Sequence, residues 1–202
     1  EHSSRCSHFA LLGLPPRFAL ATEEVRAAYK ALQRRLHPDV HHAAAAAEGG
    51  LGGAAAEAAE AAEAEGITVL SDPVLRAQHL MVARCGVDPL AEDAGSGSSL
   101  SDPELLMFVM EERQRIEDLD EFAGSGEADH RAASVDALMA HYQGLFEDAA
   151  EGLDAGLDAA AVAEVDGDDA QRAEVVRALT GKVVRMQYLS KLKDECHARI
   201  EV

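Results

Sequence analysis

Residues that build β-sheet are scarce in this chain: only 4% are aromatic, none is Trp, and β-branched runs are few, while Ala and Glu abound. Such a composition propagates helices and offers little to pair or pack as strands, so an all-α fold is expected. With 202 residues and 48% apolar content, the chain can bury a core and has room for one large domain or two small ones. Its net charge of −19 disfavours nucleic acid and anionic membrane as partners. No stretch approaches the roughly 20 apolar residues that a membrane-spanning helix needs. The charge is also uneven: residues 43–171 carry 29 Asp and Glu against five Lys and Arg, whereas both ends are slightly basic. Lys30, Arg34 and Arg35, followed by His37, His41 and His42, therefore form a positive island suited to an acidic partner surface.

Proline and glycine punctuate the helical runs. Thr22 is placed to cap a helix in which Val25, Tyr29, Leu32 and Leu36 recur on one side. Pro38 ends it, because proline lacks an amide hydrogen and drives His37 out of helical geometry, leaving His37, Pro38 and Asp39 in a loop. Ala and Glu dominate 54–70 and predict a second helix. Asp72 and Pro73 then read as N-cap and first helical residue of a third, ending near Gly86. The Gly- and Ser-rich stretch 91–101 reads as a linker. Asp102 and Pro103 repeat the start signal for a helix to about Phe122. Further helices are expected from Asp129 past Leu145 and from Asp169 to Ile200, separated by an acidic interruption at 151–168. Short connections between three such helices predict an antiparallel bundle.

Some residues do not fit a plain bundle. Leu105, Val109, Ile116 and Leu119 make one core-facing side, yet Leu106, Met107 and Met110 project about 100 to 200 degrees away from Leu105, among acids. A wide apolar face would explain them structurally; a protein-binding patch would explain them functionally, since methionine adapts to a partner's shape. In the last helix Val175, Leu179, Val183, Met186, Leu189 and Cys196 share a side from which Tyr188 is turned well away. His37, His41 and His42 admit a metal-binding reading, but no Cys pair accompanies them. Cys6, Cys85 and Cys196 form no paired motif. There is no phosphate-cradling Gly loop and no nucleophile elbow, so the sequence offers no catalytic constellation.

Taken together, the basic helix ending in Arg34-Arg35-Leu36, the His37-Pro38-Asp39 loop and a helix closing on Leu70-Ser71-Asp72-Pro73, with Tyr29-Lys30 upstream, resemble a J-domain. His8-Phe9 to Leu11-Leu12-Gly13-Leu14-Pro15, Leu75-Arg76-Ala77 to Leu80, Leu105-Leu106-Met107 to Glu117-Asp118-Leu119, and Gln187-Tyr188-Leu189-Ser190-Lys191-Leu192 resemble the HscB family of iron–sulfur assembly co-chaperones. The resemblance implies an L-shaped protein: a J-domain helical hairpin within residues 1–90, a linker at 91–101 and a three-helix bundle at 102–202. It implies a co-chaperone rather than an enzyme, with no cofactor and no bound metal. Its J-domain would stimulate the ATPase of a dedicated DnaK/HscA-type chaperone through Lys30, Arg34, Arg35, His37, Pro38 and Asp39. Its bundle would hold an IscU-type iron–sulfur scaffold protein through Leu106, Met107, Met110, Glu111 and Tyr188, promoting cluster transfer. An adaptor for another client, or a metal-binding helical protein, are the competing readings. The mitochondrial matrix is the expected compartment and the bacterial cytoplasm the alternative. Ala64 and Gly66 depart from the family pattern and predict a loosely packed hairpin.

Overall fold

The computed structural model describes residues 7–36, 53–91, 102–121 and 128–199. Among them are eight helices and no strand, so the all-α expectation holds. The chain divides into two compact units, Glu1–Gly86 and Val87–Val202.

The first unit contains α1 (Ser7–Leu12), α2 (Thr22–Leu36), α3 (Gly53–Ser71) and α4 (Pro73–Cys85). Thr22 is the first helical residue of α2 rather than its cap. The Glu24 carboxylate instead reaches back to accept the Ala21 amide at 3.1 Å, satisfying one of the amides that a helix start leaves without a partner. At α4 the expected cap forms: Asp72 accepts from the amides of Val74 and Leu75 at 2.7 and 3.0 Å, with Pro73 at the first position. Gly86 ends α4 in the left-handed region at φ 72°, a conformation that costs glycine nothing. Phe9, Leu12, Leu20, Val25, Leu70, Leu80 and Met81 form the core. Arg76 is buried among them at 3% exposure. Its guanidinium donates to the carbonyls of Leu70, Phe18 and Leu20 at 2.8, 2.8 and 2.9 Å, which offsets the desolvation and ties the loop before α2 to the start of α4.

Gly66 does not leave the hairpin loose. It is buried in α3, and α1 lies over it: a Cβ added there would meet His8 Nδ1 at 3.6 Å and Leu11 Cδ2 at 3.7 Å. The short N-terminal helix fills the space that a larger residue would occupy.

The second unit contains α5 (Pro103–Glu121), α6 (Ala128–Ala150), α7 (Leu153–Asp166) and α8 (Asp169–Ala198). α6 runs antiparallel to α8, as its contacts show: Val135 meets Cys196, Gln143 meets Lys193, and Ala149 meets Lys182. α5 runs parallel to α8, with Phe108 beside Arg185 and Arg113 beside Glu195. The expected interruption at 151–168 is mostly helix. Leu153, Leu157, Ala160 and Ala163 recur at helical spacing and are buried, while the acids between them face outward. α7 then packs antiparallel on the first half of α8, where Gly156 lies against Leu179 and Glu164 pairs with Arg172 at 3.5 Å. The bundle thus has three rods, the second broken into α6 and α7 at Gly152, whose φ is 73°. Composition concealed this because an Ala- and Asp-rich segment shows its face only through four widely spaced small or aliphatic residues.

One buried polar cluster fastens α5 to α6. The Tyr142 hydroxyl donates to the buried Glu112 carboxylate at 3.1 Å, and Arg115 donates to the same carboxylate at 2.9 Å. Burial, and after it the adjoining Glu112 charge, push the Tyr142 hydroxyl above its usual range, so it remains a donor.

Candidate functional site

In the first unit, α2 carries the positive island. Val25 and Leu32 are buried on its inner side, which turns Lys30 and Arg34 to solvent. Arg34 Nε donates to the Lys30 carbonyl at 3.2 Å within the helix, leaving the Lys30 ammonium exposed. Arg35 lies in α2, but its side chain is outside the described residues, as are His37, Pro38 and Asp39. His41 and His42 of the metal-binding alternative lie outside them too.

In the second unit, α5 separates two sets of apolar residues. Leu105, Val109, Ile116 and Leu119 are buried, whereas Leu106, Met107 and Met110 are 42%, 62% and 72% exposed. A wide core-facing side would have buried all seven; three remain in water, with Glu111 exposed beside them. Such clustered exposure is uncommon on a surface with no partner.

Tyr188 is turned away from the main core side of α8, but it is not left in water. Its ring is half-buried and packs on the cluster formed by Leu105, Val109 and Val184, which Leu90 and Phe108 also join. The wheel turned Tyr188 away from the main core side of α8; that direction faces α5. Tyr188 therefore occupies the seam between α5 and α8, next to the ridge from which Leu106 and Met110 project. Lys191 Nζ stands 5.9 Å from its ring centroid, and Arg113 crosses the same seam to Glu195 at 2.9 Å. Phe108, half-buried under the Arg185 guanidinium at 5.2 Å, is a member of this cluster that the sequence reading missed. Its spacing of three from Leu105 was the available signal. Gln114, on the exposed side, donates to Asp118 at 2.9 Å.

No group of three or more His, Cys, Asp or Glu among the described residues has the arrangement of a metal site. No helix among them is long and apolar enough to cross a membrane.

Relatives of known class decide the family. Over 199 residues, covering 98% of this chain and 97% of the relative, the sequence is 35% identical to the co-chaperone protein HscB homolog of Burkholderia mallei (strain SAVP1). The chain belongs to the HscB co-chaperone family. The fold agrees. The chaperone HscB from Vibrio cholerae superposes with a TM-score of 0.59 at 22% identity, over 96% of each chain. Human co-chaperone protein HscB superposes with a TM-score of 0.53 at 18% identity, over 95% of this chain and 81% of that one. No family model matches the sequence. As in these HscB proteins, a helical J-domain is followed by a C-terminal helical bundle.

Proposed function

We propose that this HscB protein stimulates ATP hydrolysis by a DnaK/HscA-type chaperone and delivers to it an IscU-type iron–sulfur scaffold protein. The chain supplies binding surfaces in this reading, and the hydrolytic chemistry belongs to the chaperone. Lys30, Arg34, Arg35, His37, Pro38 and Asp39 contact the chaperone, the basic helix being steered to an acidic surface and Asp39 supplying a specific acceptor. Leu106, Met107, Met110, Glu111 and Tyr188 hold the scaffold. The observation that carries the reading is the exposed set Leu106, Met107 and Met110 above an otherwise buried stripe, bordered by a tyrosine in the adjoining seam.

The energetics suit a complex that must be handed on. Burying the three exposed side chains contributes at most about 1.5–3 kcal/mol each, while association costs at least about 4 kcal/mol. Tyr188 and polar rim contacts are then needed to approach the roughly −8 kcal/mol of a micromolar complex. The Burkholderia relative is bacterial, which favours the bacterial cytoplasm over the mitochondrial matrix.

Single-turnover ATP hydrolysis by a cognate DnaK-type chaperone tests this directly. Wild-type protein should accelerate hydrolysis, the scaffold should raise the rate further, and His37→Gln should abolish both effects. An absence of stimulation by the wild type would remove the J-domain function.

A further inference from the structure

The seam that holds Tyr188 also holds a cation that the apolar patch does not explain. Lys191 is exposed on α8, one turn beyond Tyr188, with Nζ over the tyrosine ring. The basic residues around it are engaged elsewhere. Lys182 donates to the carbonyls of Ala149 and Glu151, Arg185 lies over Phe108, and Lys193 donates to Gln143 and lies over Phe146. Across the seam, Arg113 is paired with Glu195. Among the described residues Lys191 has no carboxylate partner at ion-pair distance; its one close neighbour of note is an aromatic face.

Helical periodicity orders the surface around it. At about 100 degrees per residue, the face of α5 leading away from the seam presents Leu106, then Met110, then Met107, and finally Glu111. The surface therefore has an ammonium at its α8 edge, apolar side chains in the middle and a carboxylate at its α5 edge. Opposite charges on opposite edges of an apolar patch fix the direction in which a partner can lie across it.

We propose that Lys191, seated on Tyr188, is a specificity-determining contact that takes a carboxylate of the docked scaffold protein on the α8 side of the patch. The inference rests on the scaffold reading of that patch and adds to it the partner's chemistry: an apolar segment with an acid on the α8 side. The tyrosine ring holds the ammonium at the edge of the apolar surface, where docking removes water and strengthens a charge pair. A reversed charge at the same place would repel the partner's acid and desolvate both groups.

Calorimetric titration of the full chain with a purified IscU-type scaffold, at low and high salt, tests the assignment. Lys191→Glu should weaken binding about tenfold or more, the size expected for a close charge pair. Lys191→Met should weaken it less and flatten its salt dependence, and Lys191→Arg should preserve both affinity and salt response. Wild-type affinity in Lys191→Glu would overturn the inference while leaving the docking surface in place. Equal losses in the Glu, Met and Arg variants would overturn it in favour of a packing role. Failure of the wild type to bind the scaffold would overturn the reading of the patch and this inference with it.

Discussion

His8 on α1 and His79 on α4 bring their rings to a centroid separation of 4.6 Å, with Phe9 stacked on His79 at 5.9 Å. His79 Nε2 is buried without a hydrogen-bond partner among the described residues. Burial first, and then the neighbouring His8, hold the His79 pKa below its ordinary value of 6.5, while Glu65 acts in the other direction. The protonated ring is therefore disfavoured in the folded unit. An unfolded chain takes up this proton more readily, so the contribution of His79 to stability is complete above pH 6.5 and declines as the pH falls below it. The decline ends once the pH has passed the folded value. Thermal melting between pH 7.5 and pH 5 should show the first unit losing stability, and His79→Phe should flatten that slope. None of this was legible in the sequence, where the six histidines outside the 37–42 group are scattered and no spacing pairs residue 8 with residue 79. Arg76 is a similar case. It belongs to a recognisable family segment, but only packing shows that its three carbonyl acceptors come from two distant parts of the chain.

Two helix-interior glycines separate what propensity decides from what packing decides. In α3, a Cβ at Gly66 would make ordinary contacts of 3.6 Å or more with α1. Gly66→Ala should then gain helix propensity and stabilise the first unit by about 0.5–1 kcal/mol. In α7, a Cβ at Gly156 would come within 2.6 Å of Leu179 Cδ2 and 3.3 Å of its Cγ. Leu179 is buried and has little room to retreat. Gly156→Ala should destabilise the second unit by about 1–3 kcal/mol through overpacking. Urea denaturation of both variants checks the opposite signs. The same two elements mark the limit of periodicity as a guide. Asp72-Pro73, Gly86 and Asp102-Pro103 announce helix ends by local chemistry and were readable in advance; Asp102 accepts from the Glu104 amide at 2.9 Å as its position suggested. α7 has no comparable announcement, because Gly152 supplies no capping side chain and the helix gains its stability by covering α8.

Across the whole molecule, the proposed chaperone contacts fall in one compact unit and the proposed scaffold contacts in the other. Substitutions at the two should therefore act independently, since sites in separate compact units that share no contact are close to additive. Asp39→Asn should abolish ATPase stimulation and leave scaffold binding unchanged. Met107→Ala combined with Tyr188→Ala should weaken scaffold binding by a hundredfold or so, given about 3 kcal/mol of lost apolar contact, and leave basal stimulation intact. Hydrolysis and binding assays on both variants check this, with circular dichroism confirming that the helices persist. Sequence alone determined the helical class, the J-domain and HscB motifs, most helix ends and the misfit of Leu106, Met107 and Met110, because each is carried by composition, by a short local pattern or by the period of one helix. Tertiary structure decided where α7 docks, how α1 uses Gly66, which carbonyls satisfy Arg76 and that Tyr188 lies in the α5 seam. Those depend on which helix lies beside which, and a wheel drawn for one helix contains no direction toward its neighbour.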